Sequence, residues 1–372
     1  MRVLIYAPAA RMGGARAHVL GLVPELAAIA PDDEVLLLAQ PELLADLPAL
    51  PAGWSLHVER AQARGFLGRL GWEQGTLPRI AERWRADVLL SFGSFVPLRC
   101  ACPMVLEAGN ALPFANAYWH VLRGESWRLQ IEEYARWALL RASLRVAERI
   151  LVPTRAMRQD VVMRVPELAG RIDVALWGVA SVFHERRWRQ PPDETVLGVS
   201  KHGINKEFDV LIRALYHLPK ELQLLLTGTA DESRWSARSA TLVSQLGLES
   251  RVCFVGDVPN PLVPDLIGKA QLLVFPTWCE SFGLPLAEAL AMGAPAIAGD
   301  IPACREVGAD AACFYAPGDA QSLARSIAGL LDDAPRRAAL AHAAYERGRA
   351  FQWRDNALAV RQTLERAVRG GG

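Results

Sequence analysis

The sequence predicts an α/β chain of two doubly wound domains, and three observations carry the prediction. Short apolar runs of strand type alternate with helical segments through both halves, the pattern of a parallel sheet with helices on both faces. The alternation breaks at a polar, proline-containing stretch, 185–194, and then begins afresh. At 372 residues the chain is too long for one compact core of ordinary size. The expected domains are 1–184 and 195–350, joined by a linker at 185–194 and followed by a terminal segment, 351–372.

In the first half, strands are expected at 2–6, 34–38, 87–91 and 104–107, with helices at 17–29 and 41–47 between them. A long helical tract from about 126 to 149 leads into another strand at 150–154. In the second half, strands are expected at 196–199, 222–227, 252–255, 271–275 and 296–298. Helices fall at about 207–217, 238–246, 285–292 and 320–331, and a last one at 353–368.

Hydrophobic residues make up 51% of the chain and charged residues 22%, a globular and soluble composition. The formal net charge of +1 supplies no electrostatic reason for a nucleic-acid partner. The apolar run after Met1 is too short for a signal peptide or a membrane span, and no later run is long enough to cross a bilayer. Six scattered cysteines form no zinc or disulfide spacing, so the reducing cytoplasm is the expected location. Cys279 reads as a buried structural thiol beside a functional loop rather than a nucleophile.

The chemistry concentrates in Pro276-Thr277-Trp278-Cys279-Glu280-Ser281-Phe282-Gly283-Leu284-Pro285-Leu286-Ala287-Glu288, which runs on to Gly293. A strand precedes this string, and a helix with proline at its first position and Gly293 as its terminator follows. The loop therefore feeds a helix N-terminus, whose unpaired N–H groups and partial positive charge suit a diphosphate. Glu280 on the loop and Glu288 in the first helical turn would accept hydrogen bonds from sugar hydroxyls. An acidic residue in a first turn is also common for dipole reasons alone.

Only four of the 41 basic residues are lysines, and two of them, Lys201 and Lys206, stand five apart after the strand 196–199. A compact ammonium suits a diphosphate leaving group whose charge grows as the glycosidic bond breaks. Lys206 is expected just inside the following helix, with Asn205 as its cap. Gly13 and Gly14 lie between the first strand and the first helix, where glycine lets a ligand approach the backbone. They do not complete a dinucleotide fingerprint, so a nicotinamide-dependent oxidoreductase is not expected.

Glutamate followed by Phe-Gly-Leu-Pro, a second glutamate and Ala-Met-Gly-Ala-Pro resembles the signature of glycosyltransferase family 4, the group 1 glycosyltransferases. The lysine segment and the Gly13-Gly14 turn resemble that family's donor-phosphate motif and N-terminal glycine loop. The resemblance covers nearly the whole chain, more closely from 196 to 331. It implies the GT-B fold, two such domains across a cleft, with the terminal helix crossing back to the first. It also implies transfer of a hexose from a UDP or GDP donor to a hydroxyl acceptor with retention of configuration. The nucleotide sugar is then a substrate, and no cofactor or metal is expected.

Carried over residue by residue, Glu280, Lys206 and Lys201 would be catalytic. Glu288, Gly13, Gly14, Phe282, Gly283, Leu284 and Gly256 would bind the donor. Asn110 stands where many relatives carry a histidine and cannot take a proton as a base, so it is an acceptor-binding candidate only. His18 is a second acceptor-side candidate, although a structural role is the favoured reading. Glu306, in Cys304-Arg305-Glu306-Val307, matches the family's glutamate-valine pair but follows arginine where proline is usual. The acceptor would be a saccharide, a lipid-linked saccharide or a small natural product. Tryptophans 119, 127 and 137, interleaved with arginines, suit peripheral contact with lipid headgroups, while an aromatic stripe buried inside the protein is the alternative. A sugar-nucleotide epimerase of the same shape and a non-catalytic sugar-nucleotide binding protein are the competing functions.

Overall fold

The computed structural model describes residues 1–8, 13–60, 65–92, 95–192 and 194–370. The chain packs as two units, Met1–Gly178 together with Gln352–Gly372, and Val179–Phe351. Each is an all-parallel sheet with helices packed against it.

The first sheet comprises β1 (Arg2–Ala7), β2 (Glu34–Ala39), β3 (Trp54–Val58), β4 (Val88–Ser91), β5 (Met104–Glu107), β6 (Arg149–Val152) and β7 (Ile172–Val174), in the order 3-2-1-4-5-6-7. Alternate residues of β1 serve opposite faces, and Val3, Ile5 and Ala7 enter a core with Leu22, Val23 and Leu26 of the helix Gly13–Ile29. The terminal helix Trp353–Gly370 belongs to this unit and adds Val360, Leu364 and Ala367 to the same core.

The second sheet comprises β8 (Thr195–Gly198), β9 (Gln223–Leu226), β10 (Val252–Phe254), β11 (Leu272–Phe275), β12 (Ala296–Gly299) and β13 (Cys313–Tyr315), in the order 10-9-8-11-12-13. The strand order reverses between β8 and β11, which are neighbours with Val274 opposite Gly198. In an open α/β sheet a ligand crevice forms at the carboxyl ends of two such strands, because the following loops diverge to opposite faces.

The stretch expected as a linker behaves otherwise. Residues 185–192 and Glu194 fall inside the second unit, and Asp193 lies outside the described residues. Trp188 is buried, its backbone N–H donating to Met292 O at 2.8 Å and its indole to Ala270 O at 2.9 Å. Flanking arginines make the segment look solvated, yet a tryptophan with its N–H satisfied anchors it.

Several elements of the first unit escaped the sequence pattern, among them the helices Asn116–Leu122 and Arg155–Arg164 and the strand β7, and two others show why. The helix Gly65–Arg83 carries Gly68, Gly71, Gly75 and Pro78, all helix-weakening, and forms because Trp72, Leu77 and Ala81 bury their side chains. The edge strand β3 buries only Trp54 along its length, so it lacks the apolar alternation of a half-buried strand. The long helical tract is the helix Trp127–Val146, capped by Ser126 Oγ, which accepts from Leu129 N at 3.4 Å.

Candidate functional site

The loops after β8 and β11 meet at the switch point. Lys206 and Thr277 form an antiparallel bridge between them. The Glu207 N–H donates to Pro276 O at 2.9 Å and the Trp278 N–H to Asn205 O at 3.1 Å. These backbone bonds set the two side chains face to face.

Lys206 Nζ donates to Glu280 Oε1, and both side chains are largely buried, at 11% and 14% exposure. The same carboxylate oxygen accepts from Asn205 Nδ2 at 3.0 Å and from Thr277 Oγ1 at 2.8 Å. Asn205 also reaches Cys279 O at 2.8 Å, so its amide spans the loop rather than capping a helix. The ammonium lies 4.4 Å from the centroid of the Phe275 ring at the end of β11. Cys279 is buried, as expected of a structural thiol.

Lys206 does not lie inside the following helix, which runs Phe208–Tyr216 with Glu207 at its N-cap. Glu207 makes no side-chain cap because its carboxyl turns inward and accepts from Tyr315 Oη at 2.7 Å. Burial pushes the Glu207 carboxyl above its ordinary range, and the Tyr315 phenol is pushed up by the same burial. The lysine thus stands on a strand-like bridge, held in place from both sides.

Glu288 lies in the helix Leu284–Met292, one turn later than expected, since the helix starts at Leu284 and its first turn holds no acid. The side chain is 5% exposed, and burial alone pushes its carboxyl up to about 8. Among the described residues no hydrogen bond to this carboxyl accompanies the burial.

Gly283 caps this helix at φ 96°, ψ 58°, a left-handed conformation that glycine adopts without strain. A Cβ there would also stand 3.2 Å from the Phe275 ring. Leu284 is half-buried at the helix start. Phe282 departs from its expected role, because its ring is fully buried edge-on against Phe351, 5.8 Å between centroids, and cannot meet a donor. Its apolar character serves the core.

Lys201 joins different partners. Its Nζ lies 2.6 Å from Asp257 Oδ1 and 4.0 Å from Glu232 Oε2, and the side chain is 45% exposed. Gly256, beside Asp257, exchanges backbone hydrogen bonds with Gly228 at 2.8 and 3.2 Å, which joins the loops after β9 and β10. The intervening His202 is buried against Phe208 at 4.1 Å, with Nε2 and Thr227 O 3.0 Å apart. Burial lowers its pKa, so the ring is neutral and its Nε2 donates. The structure therefore gathers Lys206 and Glu280 on one bond and places Lys201 with the Gly256 loop.

In the first unit, Gly13 opens its helix at φ 62°, and Gly14 lies against Trp177, 3.4 Å from where a Cβ would stand. The preceding residues, 9–12, lie outside the described residues. His18 is buried between Trp177 and Trp353, at 4.6 and 5.5 Å. Its Nε2 faces Asn356 Oδ1 at 3.3 Å and its Nδ1 faces Glu107 Oε1 at 3.6 Å. Asn356 is itself oriented by Ala175 O and Leu176 O, so His18 is a packed structural side chain and not an acceptor contact. Asn110 is exposed, and its Oδ1 accepts from Leu112 N at 3.1 Å, a local turn that commits the carbonyl.

Glu207, Tyr315 and the holding role of Thr277 went unread in the sequence. Thr277 stood within the quoted string and Asn205 was read as a cap, so both were visible. Tyr315 is 108 residues from Glu207, and no local pattern connects them. Glu306 lies in the helix Pro302–Gly308, where its backbone carbonyl accepts from Arg347.

Residues 183–347 match the family model described as "Glycosyl transferases group 1". A D-inositol 3-phosphate glycosyltransferase of Xylanimonas cellulosilytica is 33% identical over 164 residues, 43% of this chain and 39% of that protein. Such curated relatives are matched over 36% to 56% of their own length. Among solved structures, sucrose-phosphate synthase from Thermosynechococcus elongatus superposes with a TM-score of 0.78 at 19% identity, over 100% of both chains. Anabaena Alr3699/HepE in complex with UDP-glucose gives 0.75 at 19% identity, over 98% of this chain and 99% of that one. At these identities the structural matches establish the fold. The match to the group 1 glycosyl transferase model thus falls within the second unit, on a chain with the GT-B fold.

Proposed function

We propose that this protein transfers a hexose from a UDP or GDP donor to a hydroxyl acceptor, with the donor held by the second unit. The observation that carries the reading is the Lys206–Glu280 pair at the carboxyl ends of β8 and β11, with the buried Glu288 on the helix that follows. Curated relatives named glycosyltransferases and a solved relative holding UDP-glucose support it.

Glu280, fixed by Asn205 and Thr277, accepts hydrogen bonds from donor-sugar hydroxyls. Glu288 accepts from the ribose diol. Lys206 turns its ammonium to the diphosphate and stabilises the charge that grows on the leaving group, a contribution of about 3–4 kcal/mol for a well-placed donor. Lys201 assists once the diphosphate competes with Asp257 and Glu232 for it. The backbone N–H groups at the Gly283 end of the helix and these side chains supply the charge neutralisation that a metal ion supplies in other transferases. Gly256 faces the base, and the anomeric configuration is retained, both as the family resemblance implies.

The test is turnover of UDP- and GDP-hexoses with a panel of saccharide, lipid-linked and small-molecule acceptors. Lys206→Ala and Glu280→Ala are each expected to reduce transfer at least about a hundredfold in protein that is still folded at the assay temperature, with a lowered melting point because each leaves its buried partner unpaired, and full activity in both would remove the assignment. Conversion of the donor with no acceptor present would indicate an epimerase. Binding without product over long incubation would indicate a sugar-nucleotide binding protein.

A further inference from the structure

Cys100 and Cys102 stand on the segment that returns from β4 to β5, and their Sγ atoms are 3.7 Å apart. Both are free thiols, Cys100 half-buried and Cys102 buried, so a reagent from solvent reaches the first and only the chain reaches the second. The segment is held from several sides. Leu98 N–H donates to Gln74 Oε1 at 2.8 Å and Val96 N–H to Ser143 Oγ at 3.2 Å, which tie it to the helices Gly65–Arg83 and Trp127–Val146. Leu89 N–H donates to Pro103 O at 3.0 Å. The two sulfurs are therefore kept in contact rather than meeting by chance.

The contact is asymmetric. The Cys102 S–H donates to the Cys100 sulfur, and the backbone N–H groups of Cys102 and Ala101 donate to it as well. The hydrogen bond from Cys102, with these backbone donors, holds the Cys100 thiol well below its ordinary range against the opposing effect of burial. Cys102 moves the other way, because its hydrogen bond to Cys100, burial and the negative charges of Cys100 and Asp87 push its thiol up. An accessible thiolate touching a protonated thiol is the arrangement of an attacking and a resolving cysteine.

We propose that Cys100 and Cys102 form a reversible redox pair, closed to a disulfide by a small-molecule disulfide, oxidised glutathione, and reopened by reduced glutathione. The Cys100 thiolate attacks one sulfur of the oxidant, which leaves a mixed disulfide on Cys100 and expels one glutathione thiolate. Cys102 gives its proton to that thiolate and attacks Cys100 Sγ, expelling the second. Counting the proton that Cys100 has already released, the two thiols lose two electrons and two protons, which convert one molecule of oxidised glutathione into two of reduced glutathione. Residues two apart in the chain reach at most about 7 Å between Cα atoms, within the span that a disulfide bridges. A bond closed over one intervening residue and open to solvent on one side belongs to the labile class. The pair lies at the amino end of β5, on the opposite edge of the parallel sheet from the glycine turn after β1, so its chemistry is separate from sugar transfer.

To test this, the full chain is equilibrated in glutathione buffers from fully reduced to fully oxidised, quenched in acid, alkylated with N-ethylmaleimide and cleaved with trypsin for mass spectrometry. Cleavage after Arg99 and Arg123 gives the peptide 100–123, which contains these two cysteines and no other. In oxidised glutathione this peptide is expected to be lighter by two hydrogens with neither sulfur alkylated, and in reduced glutathione to return to the doubly alkylated form. Cys102→Ser is expected to stop at one glutathione on Cys100, and Cys100→Ser to slow the reaction of this segment at least about tenfold. Two alkylated sulfurs in oxidised glutathione, two separate glutathione adducts, or a Cys100→Ser chain that reacts as fast as wild type would each overturn the proposal. The first two of these are read on the wild-type chain and need no variant to fold.

Discussion

Replacing Glu288 by glutamine separates what this side chain costs the fold from what it offers a ligand. Its carboxyl is moved from 4.5 to about 8 by burial. Below pH 4.5 the group is neutral in both the folded and the unfolded chain. As pH rises towards 8 the unfolded chain ionises first, so the folded state loses stability across that interval. At about 1.4 kcal/mol per tenfold, the full loss is at most about 5 kcal/mol. Glutamine keeps the shape without the charge and abolishes the loss. With about 2–4 °C per kcal/mol for a domain of this size, Glu288→Gln should melt roughly 10 °C above wild type at pH 8. The gap should close towards pH 4.5.

Nucleotide binding should move the other way, because the ribose hydroxyls lose a charged acceptor. A hydrogen bond to a charged group is worth about 1.5–3 kcal/mol, so UDP or GDP affinity should fall about tenfold or more. Wild-type binding near neutral pH should also release a proton, visible in calorimetry as a buffer-dependent enthalpy, and the variant should release none. Scanning calorimetry from pH 4.5 to 8 and titration with the nucleotides make both measurements. A variant that melts no higher than wild type at pH 8, or that binds nucleotide equally well, would refute the reasoning.

Other outcomes follow from the packing around the same loops. A Cβ on Gly299 would fall 2.0 Å from Thr277 O, a backbone atom that cannot swing away, so Gly299→Ala should displace the shoulder that carries Glu280. Transfer should drop at least about tenfold with a lowered melting point, and wild-type kinetics in this variant would show that the loop tolerates the shift. Tyr315→Phe removes the phenol from the buried Glu207 carboxyl, whose pKa burial already raises, and should cost about 1–3 kcal/mol in urea unfolding. The cost should grow from pH 5 to pH 8, since an ionised Glu207 then lacks its donor, and a pH-independent cost would mean that Glu207 stays neutral throughout.

Local pattern was enough for the strands that flank the site, because β8 and β11 are continuous apolar runs buried on both faces. It was also enough for Glu280, Glu288 and Lys206 as candidates, since proline and glycine mark where a loop enters a helix. The helix Gly65–Arg83 was not legible, because its glycines and proline oppose helix formation and packing of Trp72, Leu77 and Ala81 overrides them. The packed role of Trp188 was hidden by the charges around it.

Composition, period and the Glu280–Glu288 string determined the fold class and the identity of the residues to examine. Tertiary structure alone decided their partners. It joined Lys206 to Glu280 and Lys201 to Asp257, turned Glu207 inward to Tyr315, sealed Phe282 and His18 in packed surroundings and buried Glu288. Strand period and helix caps depend on neighbours a few residues away, so a linear reading reaches them. Ion pairing and burial depend on which loops a parallel sheet brings together across 70 or more residues, as with Lys206 and Glu280, 74 apart, and only the folded chain sets that.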